Sequence, residues 1–166
     1  GQRIGFIQGN SPMFAILLAA IARIGAVAVP ISTLIKANEL VRVLRQSDIS
    51  GLIVHRTMLG HDYVKRLVEA MPTLASAKSN DLRLVEAPYL RWIASWGSDL
   101  PASFAAVEAI IAGGESVSDD LLLAVEAEVH PTDQMVEIYT SGSMALPKGV
   151  KHLHGPVVFR AGYISK

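Results

Sequence analysis

Cysteine is absent from the 166 residues, which excludes disulfides, thiolate metal sites and cysteine nucleophiles. A reducing compartment suits such a chain, and a cytoplasmic location is the expectation. Charge is also scarce. Charged residues make up 18% of the chain, and Lys plus Arg, at 15, match Asp plus Glu, at 15. These totals hold no footprint for nucleic acid or an anionic membrane. Long apolar runs are missing too: Met13 to Ala22 is the longest, at ten residues. As a helix it reaches about 15 Å against a bilayer core of about 30 Å, so it cannot span a membrane. Asn10-Ser11-Pro12 stands before it, where a signal peptide carries a basic leader, and the run reads as a buried helix. What the chain has is hydrophobic residues, at 51%, enough for one folded domain. It begins at Gly1 directly before an apolar strand and stops at Lys166 within a helical pattern, so a single partial domain is the expectation.

Arg3 to Gln8 is rich in strand formers, and Gly9-Asn10 punctuates it. Ser11-Pro12 then suits a helix start, with the serine oxygen placed to accept an unpaired N–H and proline at the first helical position. Phe14, Leu17, Leu18 and Ile21 recur at helical spacing until Gly25. Ala26–Ile31 reads as a strand, Asn38–Ser47 as a helix and Gly51–His55 as a strand. The β-α-β-α-β order predicts an α/β fold, a mainly parallel sheet flanked by helices, with ligands beyond the carboxyl ends of its strands. Further along, His61–Met71 reads as a helix, Leu82–Glu86 as a strand, Pro88–Pro101 as ambiguous and Phe104–Ala112 as a helix that Gly113-Gly114 ends. Ser118 caps a last helix reaching Val129. Residues 1–130 thus read as βα repeats. Residues 131–166 read as strand Met135–Thr140, a loop over Ser141–Pro147, strand Lys148–His152 and the start of a helix.

That loop carries the chemistry. From Tyr139 to Val150 it joins Thr140, Ser141 and Ser143, with Gly142 among them, to Lys148-Gly149. A phosphate chain asks for close backbone N–H groups, short hydroxyl donors and a positive charge. All three are here, and the alternative on the residues alone is a surface hairpin. The Walker order of glycine, lysine, then serine or threonine is not met. Nor can a G-x-S-x-G elbow be drawn through Ser141 or Ser143.

With Tyr139 to Val150 set beside Y-T-S-G-[ST]-T-G-x-P-K-G-V, the chain resembles the adenylate-forming acyl-CoA synthetases, as part of their large N-terminal domain. Gly5, Phe6, Asn10, Ser11 and Pro12, and then Gly25-Ala26-Val27-Ala28-Val29-Pro30, resemble that superfamily's first strands and helix. The resemblance implies an ATP-dependent acid–thiol ligase: a fatty or other carboxylic acid attacks ATP to give an acyl-adenylate and pyrophosphate, and coenzyme A then takes the acyl group. It further implies that Thr140, Ser141, Gly142, Ser143, Lys148 and Gly149 hold ATP phosphates, with His154 as a further family-matching position. It places the catalytic residues and the Mg²⁺ ligands downstream of this chain. An inactive fragment that self-associates through exposed sheet edges and apolar helix faces is therefore expected. The alternatives are a non-catalytic nucleotide- or phosphate-binding module and a structural remnant. Met144 stands where threonine is usual and removes one hydroxyl; Ala145 replaces a glycine. At an effective dielectric near 20, a lysine–phosphate pair 4 Å apart is worth about 4 kcal/mol before desolvation, which makes Lys148 the leading residue.

The remaining polar residues read more plainly. His152 and His154 would share a strand face, but with no third ligand in view a metal is the weaker reading. Glu137, alternating with Met135 and Tyr139, reads as exposed or charge-paired ahead of a catalytic role, Asp119, Asp120, Glu126 and Glu128 as a solvated helix, and Trp92 and Trp96 as packing residues.

Overall fold

Ile4 and Phe6 face one side of strand β1 (Arg3–Ile7) and Ile7 faces the other, and each side of the sheet carries its own core. The computed structural model describes residues 1–79, 81–140 and 148–164. After β1 come α1 (Pro12–Arg23), β2 (Val27–Pro30), α2 (Ala37–Gln46) and β3 (Gly51–His55). A small hairpin, β4 (Thr57–Met58) with β5 (His61–Asp62), precedes α3 (Tyr63–Ala70). Then follow β6 (Trp92–Trp96), β7 (Ala105–Ala106), α4 (Val107–Gly114), α5 (Asp119–Ala127), β8 (Gln134–Thr140), β9 (Lys148–Leu153) and α6 (His154–Ile164).

The main sheet has seven strands in the order β7-β6-β3-β1-β2-β8-β9. Every neighbouring pair is parallel except β8 with β9. The α/β expectation is met. Leu17 and Ile21 of α1 pack with Ile4, Phe6, Ala28 and Val136 on one face. Leu40, Val43 and Leu44 of α2 and Tyr63, Val64 and Leu67 of α3 pack with Ile7, Val29, Leu52 and Val54 on the other. Burying such side chains is worth about 1.5–3 kcal/mol each. Glycine closes α1: with φ at +66° Gly25 donates to the Ala22 carbonyl at 3.0 Å, and the Ala26 N–H reaches Ile21 at 3.2 Å. These are the two bonds of a Schellman end.

Several expectations are corrected. Leu82–Glu86 is not a strand. Leu82 and Leu84 are buried and alternate with exposed Arg83 and Val85, but the place beside β3 belongs to β6, drawn from the segment that read as ambiguous. The helix expected from His61 starts at Tyr63, because Leu59 and Gly60, both at positive φ, turn the chain into the β4–β5 hairpin. Asp62 then caps α3, accepting from the Lys65 N–H at 2.8 Å. The helix expected from Phe104 starts at Val107, after Ala105 and Ala106 pair with β6, and it takes in Gly113 and Gly114. Ser11 makes no side-chain cap bond; its Oγ accepts instead from Gln8 Nε2 at 3.1 Å. The helix expected to be buried shows its far side to solvent, with Ile16 56% exposed. Glu126 is not simply solvated, since it pairs with Arg23.

Candidate functional site

In a parallel sheet the carboxyl ends of the strands share one edge, and Thr140 ends β8 there. The chain returns antiparallel as β9, so Lys148 lies directly across from Thr140. The Thr140 hydroxyl donates to the Lys148 carbonyl at 3.5 Å, the outer limit of a hydrogen bond, and is hardly committed. Lys148 is exposed and makes no ion pair among the described residues. A residue with a short hydroxyl and one with an ammonium therefore share a register position at the end of the hairpin where 141–147 join its strands. Ser141, Gly142 and Ser143 lie outside the described residues, as do Met144 and Ala145. Beside Thr140 a cavity of about 370 Å³ opens between Ser32, Ile35, Val43 and Tyr139, with Glu39 as its charged lining residue.

Gly149 pairs with Tyr139, one step from Lys148. Its missing side chain has a local reason: a Cβ there would lie 2.3 Å from Glu137 Oε1. Glu137 is buried, with 5% of its surface exposed. Of the two sequence readings, pairing holds and exposure does not. The Tyr139 hydroxyl donates to Oε1 at 2.8 Å and Gln134 Nε2 donates to Oε2 at 3.1 Å, while Arg3 Nε lies 3.6 Å away. Burial pushes the Tyr139 phenol up; a hydrogen bond with Ser47 opposes that, and Glu137 adds to it. The sequence reading missed this cluster as a site feature. Its signal was the i, i+2 spacing of Glu137 and Tyr139, which puts both on one strand face.

His154 is not brought to the loop. It opens α6 at the far end of β9, roughly 20 Å along the strand from Lys148. Its N–H donates to the Asp133 carbonyl at 3.0 Å, and the Gly155 N–H donates to Pro131 at 2.8 Å, which ties α6 to the turn before β8. His154 Nε2 is buried without a hydrogen-bond partner among the described residues. Among those residues no group of three or more His, Cys, Asp or Glu could hold a metal ion, and no helix is long and apolar enough to cross a membrane.

A family model described as AMP-binding enzyme matches residues 1–165. The chain is 25% identical over 166 residues to the medium-chain acyl-CoA ligase ACSF2, mitochondrial, of Rattus norvegicus, covering 100% of this chain and 27% of that protein. It is 26% identical over 164 residues to the acyl-CoA ligase sidI of Aspergillus fumigatus, covering 99% of this chain and 26% of that one. It thus spans about a quarter of the length of these curated relatives. Among solved structures, the anthranilate CoA ligase AuaEII in complex with anthranoyl-AMP superposes with a TM-score of 0.67 at 22% identity, over 98% of this chain and 27% of that one. The acetoacetyl-CoA synthetase of Streptomyces lividans gives 0.69 at 19%, over 96% and 23%. At those identities the likeness is one of fold.

Proposed function

The chain belongs to the AMP-binding enzyme family, and from that premise we propose that Thr140 to Gly149 holds the phosphates of ATP in a protein that joins a carboxylic acid to coenzyme A. The observation that carries this reading is the exposed Lys148 ammonium, free of ion pairs among the described residues and set across from the Thr140 hydroxyl. A polyanion at the hairpin end meets a mobile charge and a short donor there, with Ser141, Gly142 and Ser143 as further donors in the sequence. In the reaction, a carboxylate oxygen bonds to the α-phosphorus as its bond to pyrophosphate breaks; the thiol then displaces AMP from the acyl group. Lys148 and Thr140 would act on the first step by stabilising charge on the departing pyrophosphate. The relatives named as acyl-CoA ligases support the acid and thiol substrates. Mg²⁺ would neutralise phosphate oxygens, held by ligands outside this chain.

For the 166 residues themselves the proposal is phosphate binding without ligation, because the chain spans about a quarter of its relatives. A binding module that performs no chemistry anywhere is the second reading, favoured by Met144, which removes a hydroxyl from the loop. Titration of the chain with pyrophosphate and with ATP tests the site. Binding weakened in Lys148→Ala supports it, and no binding at millimolar ligand leaves a structural remnant. Carboxylate-dependent exchange of pyrophosphate into ATP by these residues alone would contradict the absence of ligation.

A further inference from the structure

Strand β9 lies at the edge of the sheet and most of its residues are exposed, so apolar burial does little to fix which of its residues faces which residue of β8. The connection of seven residues, 141–147, is also longer than the tight turns that dictate a hairpin register. A different device is on the page. Glu137 brings a carboxylate into the sheet, which is costly unless its oxygens are satisfied. Arg3 on β1 and Gln134 and Tyr139 on β8 satisfy it at 3.6, 3.1 and 2.8 Å. Held from that side, the carboxylate lies against the backbone of Gly149 on β9. A Cβ at Gly149 would stand 2.3 Å from Oε1 and 3.1 Å from both Cδ and Cγ, closer than such atoms pack. Residues 147, 148, 150 and 151 are Pro, Lys, Val and Lys. A slip of β9 by one or two positions in either direction would push one of those Cβ atoms into the carboxylate.

We infer that Glu137 is a positioning residue whose buried carboxylate, fitted over Gly149, sets the β8–β9 register that places Lys148 across from Thr140. Its functional meaning rests on the phosphate reading above, but its geometry does not. Glu137 touches no ligand in this account; it decides which β9 residue stands at the mouth of the loop.

The experiment follows register and binding separately in the whole chain. Cross-strand nuclear Overhauser contacts between Tyr139 and Gly149, and between Thr140 and Lys148, report the register. Pyrophosphate titration reports the site, and the amide signals of β1 and β3 report that the sheet stays folded. Glu137→Gln keeps the shape and an acceptor for Tyr139, and should hold the contacts and keep affinity within about twofold. Glu137→Ala should split or broaden the Lys148 and Gly149 amides into more than one register and lower affinity at least fivefold. Gly149→Ala retains Glu137 and its partner residues while adding the Cβ that meets the carboxylate, and should lose the same cross-strand contacts. The double variant Glu137→Ala, Gly149→Ala should be no worse than Glu137→Ala alone, because the obstruction is gone. Native contacts retained in either Glu137→Ala or Gly149→Ala, or losses that simply add in the double variant, would overturn the inference. Absence of pyrophosphate binding in the unaltered chain would instead strike the phosphate reading, and the register contacts would still decide the role of Glu137.

Discussion

Replacing Gly51 by alanine places one methyl group against the indole of Trp92. Gly51 on β3 pairs with Trp92 on β6, and a Cβ at that position would lie 2.1 Å from Cζ2, 2.3 Å from Cε2 and 2.8 Å from Cη2. Carbon atoms rest at about 3.5–4.0 Å, so the ring would have to retreat by about 1.5 Å. The contact falls on the body of a rigid bicycle, and no flexible end can swing aside. Overpacking of this kind costs about 1–3 kcal/mol, which for a protein of this size lowers the melting temperature by about 2–12 °C. Thermal and urea midpoints measure the loss, and tryptophan emission reports the displaced ring. Trp92→Ala in the Gly51→Ala background should relieve the clash, so the pair should be less destabilised than the sum of its parts. A Gly51→Ala protein within about 0.3 kcal/mol of the parent, with unchanged emission, would show that β6 does not lie beside β3 as described.

Two further outcomes can be checked directly. Burial raises the phenols of Tyr139 and Tyr63, opposed in Tyr63 by Arg66 and in Tyr139 by the Ser47 hydrogen bond. Because the folded values exceed the unfolded one, the neutral phenols favour the fold below the ordinary tyrosine range, and that contribution is lost as the pH rises through the raised values. An ultraviolet titration should show a late phase that shrinks in Tyr139→Phe and in Tyr63→Phe; a late phase untouched by both would contradict the burial described. Phe159 and Tyr163 on α6 are 78% and 77% exposed, and apolar exposure of that kind favours association. Sedimentation should show dimers or larger species as concentration rises, reduced in Phe159→Glu; a monomer at all concentrations would refute it.

The centre of the fold was legible because local signals and long-range packing agree there. Apolar stretches of strand length alternate with helical spacing from Arg3 to His55, and the Gly25 stop and the Ser118 cap both occur, Ser118 Oγ accepting from Leu121 at 3.2 Å. Where several segments competed for one sheet position, pattern could not decide. Leu82 and Leu84 alternate like strand residues, yet Trp92–Trp96 takes the place beside β3, where Gly51 leaves room for the indole. The exposed side of α1 was hidden because Ile16 and the alanines around it are as apolar as the buried side. At the candidate site, the pairing that sets Lys148 across from Thr140 was legible as two strand-like runs on either side of a polar connection. The role of Glu137 was not, because it depends on Arg3, 134 positions earlier in the chain, and on the space left at Gly149.

The claim that the end of the hairpin holds phosphate is tested most directly by titrating the isotopically labelled chain with pyrophosphate and comparing Lys148→Ala. A charge pair at 4 Å is worth about 1 kcal/mol in water and about 4 kcal/mol at an effective dielectric of 20, a loss between about fivefold and nearly a thousandfold. The account predicts shifts centred on Thr140, Lys148 and Gly149 and an affinity at least fivefold weaker in Lys148→Ala. Equal affinity in the two proteins, or shifts confined to the opposite end of β9 around His154, would contradict it.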